Sequence, residues 1–90
     1  MSAVYKYQLE TGHRQVVFML RGAQILHVDV QGNDICLWAR VDETLAADDT
    51  EPRTIIVAGT GYRFDESAER YIGTVLMFGA VLVWHVFEEC

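Results

Sequence analysis

The sequence predicts an all-β protein, a small antiparallel sandwich or partly closed barrel of about seven short strands with at most a short helical turn. Three observations point there. Apolar runs rich in β-branched and aromatic residues recur at short intervals, separated by glycine and polar turn residues. No long helical pattern interrupts them. And Gly32-Asn33 joins two such runs, Ile25 to Gln31 and Asp34 to Val41, as a hairpin turn would. Glycine and asparagine both tolerate positive φ, which a two-residue primed turn requires.

Val4 to Leu9 alternates tyrosines with polar residues and reads as a first strand, closed by a turn at Thr11-Gly12-His13. Gln15 to Leu20 is a second strand, apolar on both faces from Val16 onward. Arg21-Gly22-Ala23 turns the chain into the hairpin. With the turn at Gly32-Asn33, Val30 faces Ile35, Val28 faces Leu37 and Leu26 faces Ala39, all apolar and all on one side. The other side pairs Asp29 with Cys36, His27 with Trp38 and Ile25 with Arg40. A one-residue slip would carry Asp29 into the apolar layer, so pattern and turn chemistry agree on the register.

Asp42 to Pro52 reads as the main loop. It gathers Asp42, Glu43, Asp48, Asp49 and Glu51 with the chain's one proline, and Thr44 to Ala47 is long enough for a single helical turn. Arg53 to Thr60 is a strand ended by Gly59-Thr60-Gly61. Asp65 to Arg70 is polar and suits a turn or a helical turn. Tyr71 to Phe78 and Ala80 to Phe87 form a second hairpin, with the turn at Phe78-Gly79 or at Gly79-Ala80. Val81 to Phe87 is apolar on both faces, which places it centrally in a sheet or under a partner chain.

Ninety residues make a single domain, 1–90, able to bury a modest core. An apolar fraction of 51% argues against disorder. No apolar run approaches the roughly 20 residues of a membrane span, and the first residues lack the pattern of a leader, so no membrane association is expected. Cys36 and Cys90 are the two cysteines, and they fit free thiols in a reducing cytoplasm. The net charge of −6, a lone lysine at Lys6 and scattered arginines disfavour direct nucleic-acid binding, which needs clustered cations.

Several stretches resemble a family of small bacteriophage and prophage proteins of unknown function. They are Tyr5-Lys6-Tyr7-Gln8-Leu9-Glu10, Cys36-Leu37-Trp38-Ala39-Arg40-Val41-Asp42, Gly59-Thr60-Gly61, Tyr71-Ile72-Gly73-Thr74 and Trp84-His85-Val86-Phe87-Glu88. The resemblance runs through nearly the whole chain. It departs at Phe78-Gly79, where the family pattern tends to carry an Asn-Gly turn. It brings no catalytic residues. It implies a viral accessory role in the host cytoplasm.

Candidate chemistry is sparse. His27, Asp29 and Cys36 share one hairpin face, but a carboxylate beside a thiol disfavours the thiolate that nucleophilic or zinc chemistry uses. His13, His27 and His85 have no metal-ligand spacing, and His85 reads as a hydrogen-bonded sheet histidine. Gly59-Thr60-Gly61 lacks the lysine and helix of a phosphate loop and reads as a turn or bulge. No catalytic residue, metal or cofactor is expected, and the protein is read as a non-enzyme. Partner binding is assigned to the acids Asp42, Glu43, Asp48, Asp49 and Glu51, a lure for a basic groove, and to the hairpin face of His27, Trp38 and Arg40. The expected function is that of an acidic accessory protein binding a host or phage protein, for example to inhibit a host defence or regulatory complex. The alternative is a self-associating structural or virion-assembly protein. Trp38, Trp84, Phe18, Met77, Phe78 and Phe87 exceed what a thin sheet hides, and a homodimer would cover part of them.

Overall fold

A computed structural model describes residues 1–12, 14–63 and 69–89. Among the described residues there are seven strands: β1 (Ser2–Leu9), β2 (Arg14–Leu20), β3 (Gln24–Gln31), β4 (Asp34–Asp42), β5 (Thr50–Gly59), β6 (Glu69–Met77) and β7 (Leu82–Glu89). They form two antiparallel sheets, ordered β1-β4-β3 and β2-β5-β7-β6. The sheets stack as a sandwich and do not close into a barrel. The chain crosses between them at β1–β2, β2–β3 and β4–β5.

The core is the layer between the sheets. Ile35, Leu37, Ala39 and Val41 of β4 face Met19, Ile55, Val57, Val75 and Val86 of the other sheet, all essentially without exposure. Burying an aliphatic side chain of this size contributes about 1.5–3 kcal/mol relative to exposure. Period-2 alternation on β4 sets its side of this layer, where Ile35, Leu37, Ala39 and Val41 form an unbroken apolar row, and Ile55 and Val57 of β5 pack against it from the other sheet.

The first hairpin forms with the expected partners at Val30–Ile35, Asp29–Cys36, Val28–Leu37 and His27–Trp38. Beyond His27 the register shifts at a bulge, and Ile25 pairs with Ala39 and Gln24 with Arg40. The expected Leu26–Ala39 and Ile25–Arg40 pairs are therefore corrected. Ile25 packs on the core and Leu26 turns outward, 43% exposed. A bulge places two residues against one and so reverses which neighbour points inward.

Two boundaries also move. β5 starts at Thr50, so Pro52 lies in a strand, opposite Phe18. Its missing N–H costs nothing there. β5 meets β7 only from Thr54 onward, so β5 has no ladder partner on that side at residue 52. The last hairpin has neither expected two-residue turn. Met77 pairs with Leu82, leaving a loop at 78–81 in which Phe78, Gly79 and Ala80 all have positive φ. The 44–47 segment forms turns rather than a helical turn. β7 is central, flanked by β5 and β6, which explains its two apolar faces. The readings at His13, at 65–68 and at Cys90 lie outside the described residues.

One buried polar cluster closes an end of the sandwich. Arg53 of β5 makes a forked pair with Glu88 of β7, one arm at 3.1 Å, and donates to the Ala23 carbonyl at 2.9 Å. Arg70 approaches the same carboxylate at 4.0 Å. Arg53 and Glu88 side chains are only 14% and 8% exposed. The Glu88 bond, more than the opposing burial, pushes the Arg53 guanidinium further up.

Candidate partner-binding surface

The outer face of β1-β4-β3 gathers three of the residues assigned to partner binding. Trp38 lies at its centre, with Lys6 opposite on β1 and His27 opposite on β3. The His27 and Trp38 rings are 6.1 Å apart and tilted by 34°. The next row places Arg40 between Val4 and Gln24. Arg40 is exposed, Trp38 half-buried, Val4 57% exposed, and the bulge adds Leu26. An aromatic plate edged by cations and apolar side chains results. Such a plate suits a protein surface carrying carboxylates, since Trp and Arg anchor interfaces.

Cys36 shares this face without being accessible. Lys6, opposite Trp38, hydrogen-bonds the Gln31 amide oxygen at 2.7 Å, and Gln31 lies opposite Asp34. Their bridge spans the row between, which is that of Cys36, and the cysteine is 3% exposed. Its thiol lies 4.0 Å from the Asp34 carbonyl. His27 Nε2 lies 3.6 Å from Asp29, and both are well exposed. The three residues are thus neighbours in register, with the sulfur covered rather than presented.

The acidic loop is mostly occupied with holding itself. Asp42 accepts from the Thr44 hydroxyl at 2.6 Å and from the Thr44 N–H at 3.0 Å, and these bonds hold its carboxyl below the usual range. Asp49 pairs with Arg21, whose N–H also donates to the Asp49 carbonyl at 3.0 Å. Glu51 accepts from the Gly22 N–H at 2.6 Å. Glu43 accepts from the Tyr5 hydroxyl at 3.4 Å. Asp48 stays exposed. The loop is therefore pinned to the β2–β3 turn, and most of its charge is spent on intramolecular bonds.

The outer face of β2-β5-β7-β6 is apolar around a polar line. His85 is hydrogen-bonded at both nitrogens, to the Thr60 hydroxyl at 2.9 Å and the Thr74 hydroxyl at 3.2 Å. Thr74 meets the Tyr71 hydroxyl at 2.6 Å. His85 is thus the sheet histidine expected. Gly59-Thr60-Gly61 is a turn, with Tyr62 N–H donating to the Gly59 carbonyl at 2.9 Å. Gly59 also makes room for Trp84, whose ring would lie 3.4 Å from a Cβ there. Trp84 and Met77 pack inward, Trp38 and Phe87 are half-buried, and Phe18 and Phe78 remain exposed.

Sequence reasoning missed Lys6, Val4 and Leu26 as members of the tryptophan face. The first two follow from pairing β1 to β4, a contact between distant segments. The alternation of Val4, Lys6 and Gln8 against tyrosines was the available clue. Among the described residues, no group of three or more His, Cys, Asp or Glu side chains is placed to hold a metal ion. No helix there is long and apolar enough to cross a membrane.

No curated protein and no solved structure matches this chain. A family model described as a domain of unknown function, DUF7352, matches residues 1–90, and the chain belongs to that family.

Proposed function

We propose that this protein is a small non-enzymatic accessory protein that acts by binding another protein through the outer face of β1-β4-β3. The observation that carries the reading is the row Lys6–Trp38–His27 beside Val4–Arg40–Gln24. It offers an aromatic anchor, exposed apolar flanks and cations on an otherwise acidic molecule. The acidic loop supports this assignment by default, because four of its five carboxylates, all but Asp48, already have internal donors. The phage or prophage setting follows from the sequence resemblance, and inhibition of a host defence or regulatory complex in the cytoplasm is the version we favour.

The test is capture from host lysate with three proteins: wild type, Trp38→Ala/Arg40→Glu, and Glu43→Gln/Asp48→Asn. A protein retained by wild type and by the loop variant, and lost from the face variant, supports the assignment. Retention by the face variant, or absence of any specific protein on wild type, removes it.

A further inference from the structure

Every sheet edge must deal with a row of unpaired backbone groups, and three of the four edges here carry a device that does so. β1 has Lys6 at its middle. β3 has a bulge between Ile25 and His27. β6 has a bulge between Tyr71 and Gly73, carries Glu69 and Arg70, and lies against Val28 of β3. β2 has only a charge at its first residue, Arg14, and that charge is held inward by Glu89. Arg14-Gln15-Val16-Val17-Phe18-Met19-Leu20 contains no lysine, proline, bulge or carboxylate.

The hydrogen-bond parity of β2 is fixed. Arg21 pairs in register with Asp49 and donates its N–H to the Asp49 carbonyl. The same ladder therefore uses Met19, Val17 and Gln15 to bond β5, and turns the N–H and C=O of Phe18, Val16 and Arg14 to the open side. Pro52 opposite Phe18 agrees, since it has no N–H to give. Leu20 faces the open side too, but its carbonyl already accepts from Ala23 N–H at 3.1 Å. The side chains on these outward positions are also the exposed ones, with Val16 at 54% and Phe18 at 63%.

We propose that β2 is a homodimerisation edge, on which two copies pair antiparallel about a twofold axis at Val16. That register sets Val16 against the partner's Val16 and Arg14 against the partner's Phe18. It uses the open backbone groups from Arg14 to Phe18 and leaves Leu20 with its internal bond. A register centred one residue later would need the Leu20 groups. The outer apolar face then runs on across both copies. Each Phe18 then packs beside the aliphatic stem of the partner's Arg14, whose guanidinium leans the other way, across β5 to Glu89 of β7 at 2.7 and 2.8 Å. A molecule of net charge −6 would resist self-association at most surfaces, but this strand has no carboxylate to repel its copy. This inference is independent of the partner face, which lies on the other sheet.

The test is sedimentation equilibrium of the full chain over a wide concentration range, with amide exchange of the same samples. Wild type is expected to rise from 10.2 kDa toward twice that mass. The Val16 and Phe18 amides should slow by about tenfold or more as it does, while Val17 is protected throughout. Val16→Pro removes an outward N–H that the β5 ladder does not use, and Phe18→Lys puts a charge on the edge. Both should stay at 10.2 kDa with an unchanged circular dichroism spectrum. Should Val16→Pro fail to fold, Phe18→Lys alone decides. Wild type that remains monomeric, or a folded Phe18→Lys that still dimerises, overturns the proposal.

Discussion

Val28 Cγ1 stands 2.8 Å from the place a Cβ would occupy on Gly73. Here β6 of one sheet meets β3 of the other, at the corner where the sandwich nearly touches itself. Position 73 therefore requires glycine for space, not for its backbone angles. Gly73→Ala should destabilise the protein by about 1–3 kcal/mol. Chemical denaturation checks it, together with Val28→Ala/Gly73→Ala. The double variant should lose less than the sum of the two single losses, because the smaller side chain vacates the contested space. Strict additivity would show that the two positions do not meet.

The Arg53–Glu88 pair gives a second expectation. Breaking it from one side leaves a buried charge, so Glu88→Leu should cost about 3–5 kcal/mol. Arg53→Met/Glu88→Leu should recover much of that loss, since well-packed apolar replacements often match a buried pair. Thermal unfolding of the three proteins decides. A double variant as unstable as Glu88→Leu would mean that the bond from Arg53 to the Ala23 carbonyl matters more than the pair.

The β3 bulge makes neighbouring aliphatic residues unequal. Leu26→Ala should change stability by no more than about 0.5 kcal/mol, as an exposed substitution does. Ile25→Ala should cost about 2 kcal/mol or more, because Ile25 packs on the core. Equal losses in urea would place the bulge elsewhere.

Acid pH should act through Glu89 and Asp42. The Arg14 fork holds the Glu89 carboxyl below its usual range, and the Thr44 hydroxyl and N–H do the same for Asp42. A carboxyl depressed by folding contributes stability above its unfolded pKa and loses it as pH falls through the folded value. Carboxyl-carbon NMR titration should show Arg14→Gln returning Glu89 to the ordinary range and leaving Asp42 alone. A Glu89 titration indifferent to Arg14 would contradict the geometry.

Local chemistry explains what the sequence made legible. Gly32-Asn33 and the alternation around it fix Val30–Ile35 through His27–Trp38, and the structure contains those pairs. The bulge escaped because Ile25 and Leu26 are both apolar, so alternation does not say which points inward. Pro52 was read as loop because a proline lacks a donor. Its place in β5 depends on where β7, more than thirty positions later, comes to an end. The loop at 78–81 escaped because Phe78 and Ala80 adopt left-handed angles that their side chains do not advertise. On the surface, the shared face of His27 and Trp38 was visible from the hairpin alone. The internal bonds of the acids were not, since Arg21, Gly22 and Tyr5 reach the loop only through tertiary folding.

The crossing of the chain between layers bears on how the protein is born. β1 has its partner as soon as β4 emerges, and β3–β4 can zip locally, so the three-stranded layer is complete before β5 is made. β2, already synthesised, must wait for β5, and β5 for β7. During that interval Val16 to Leu20 has no strand to zip onto, and an apolar run left bare on a nascent polypeptide is the kind of segment that chaperones shield from clumping.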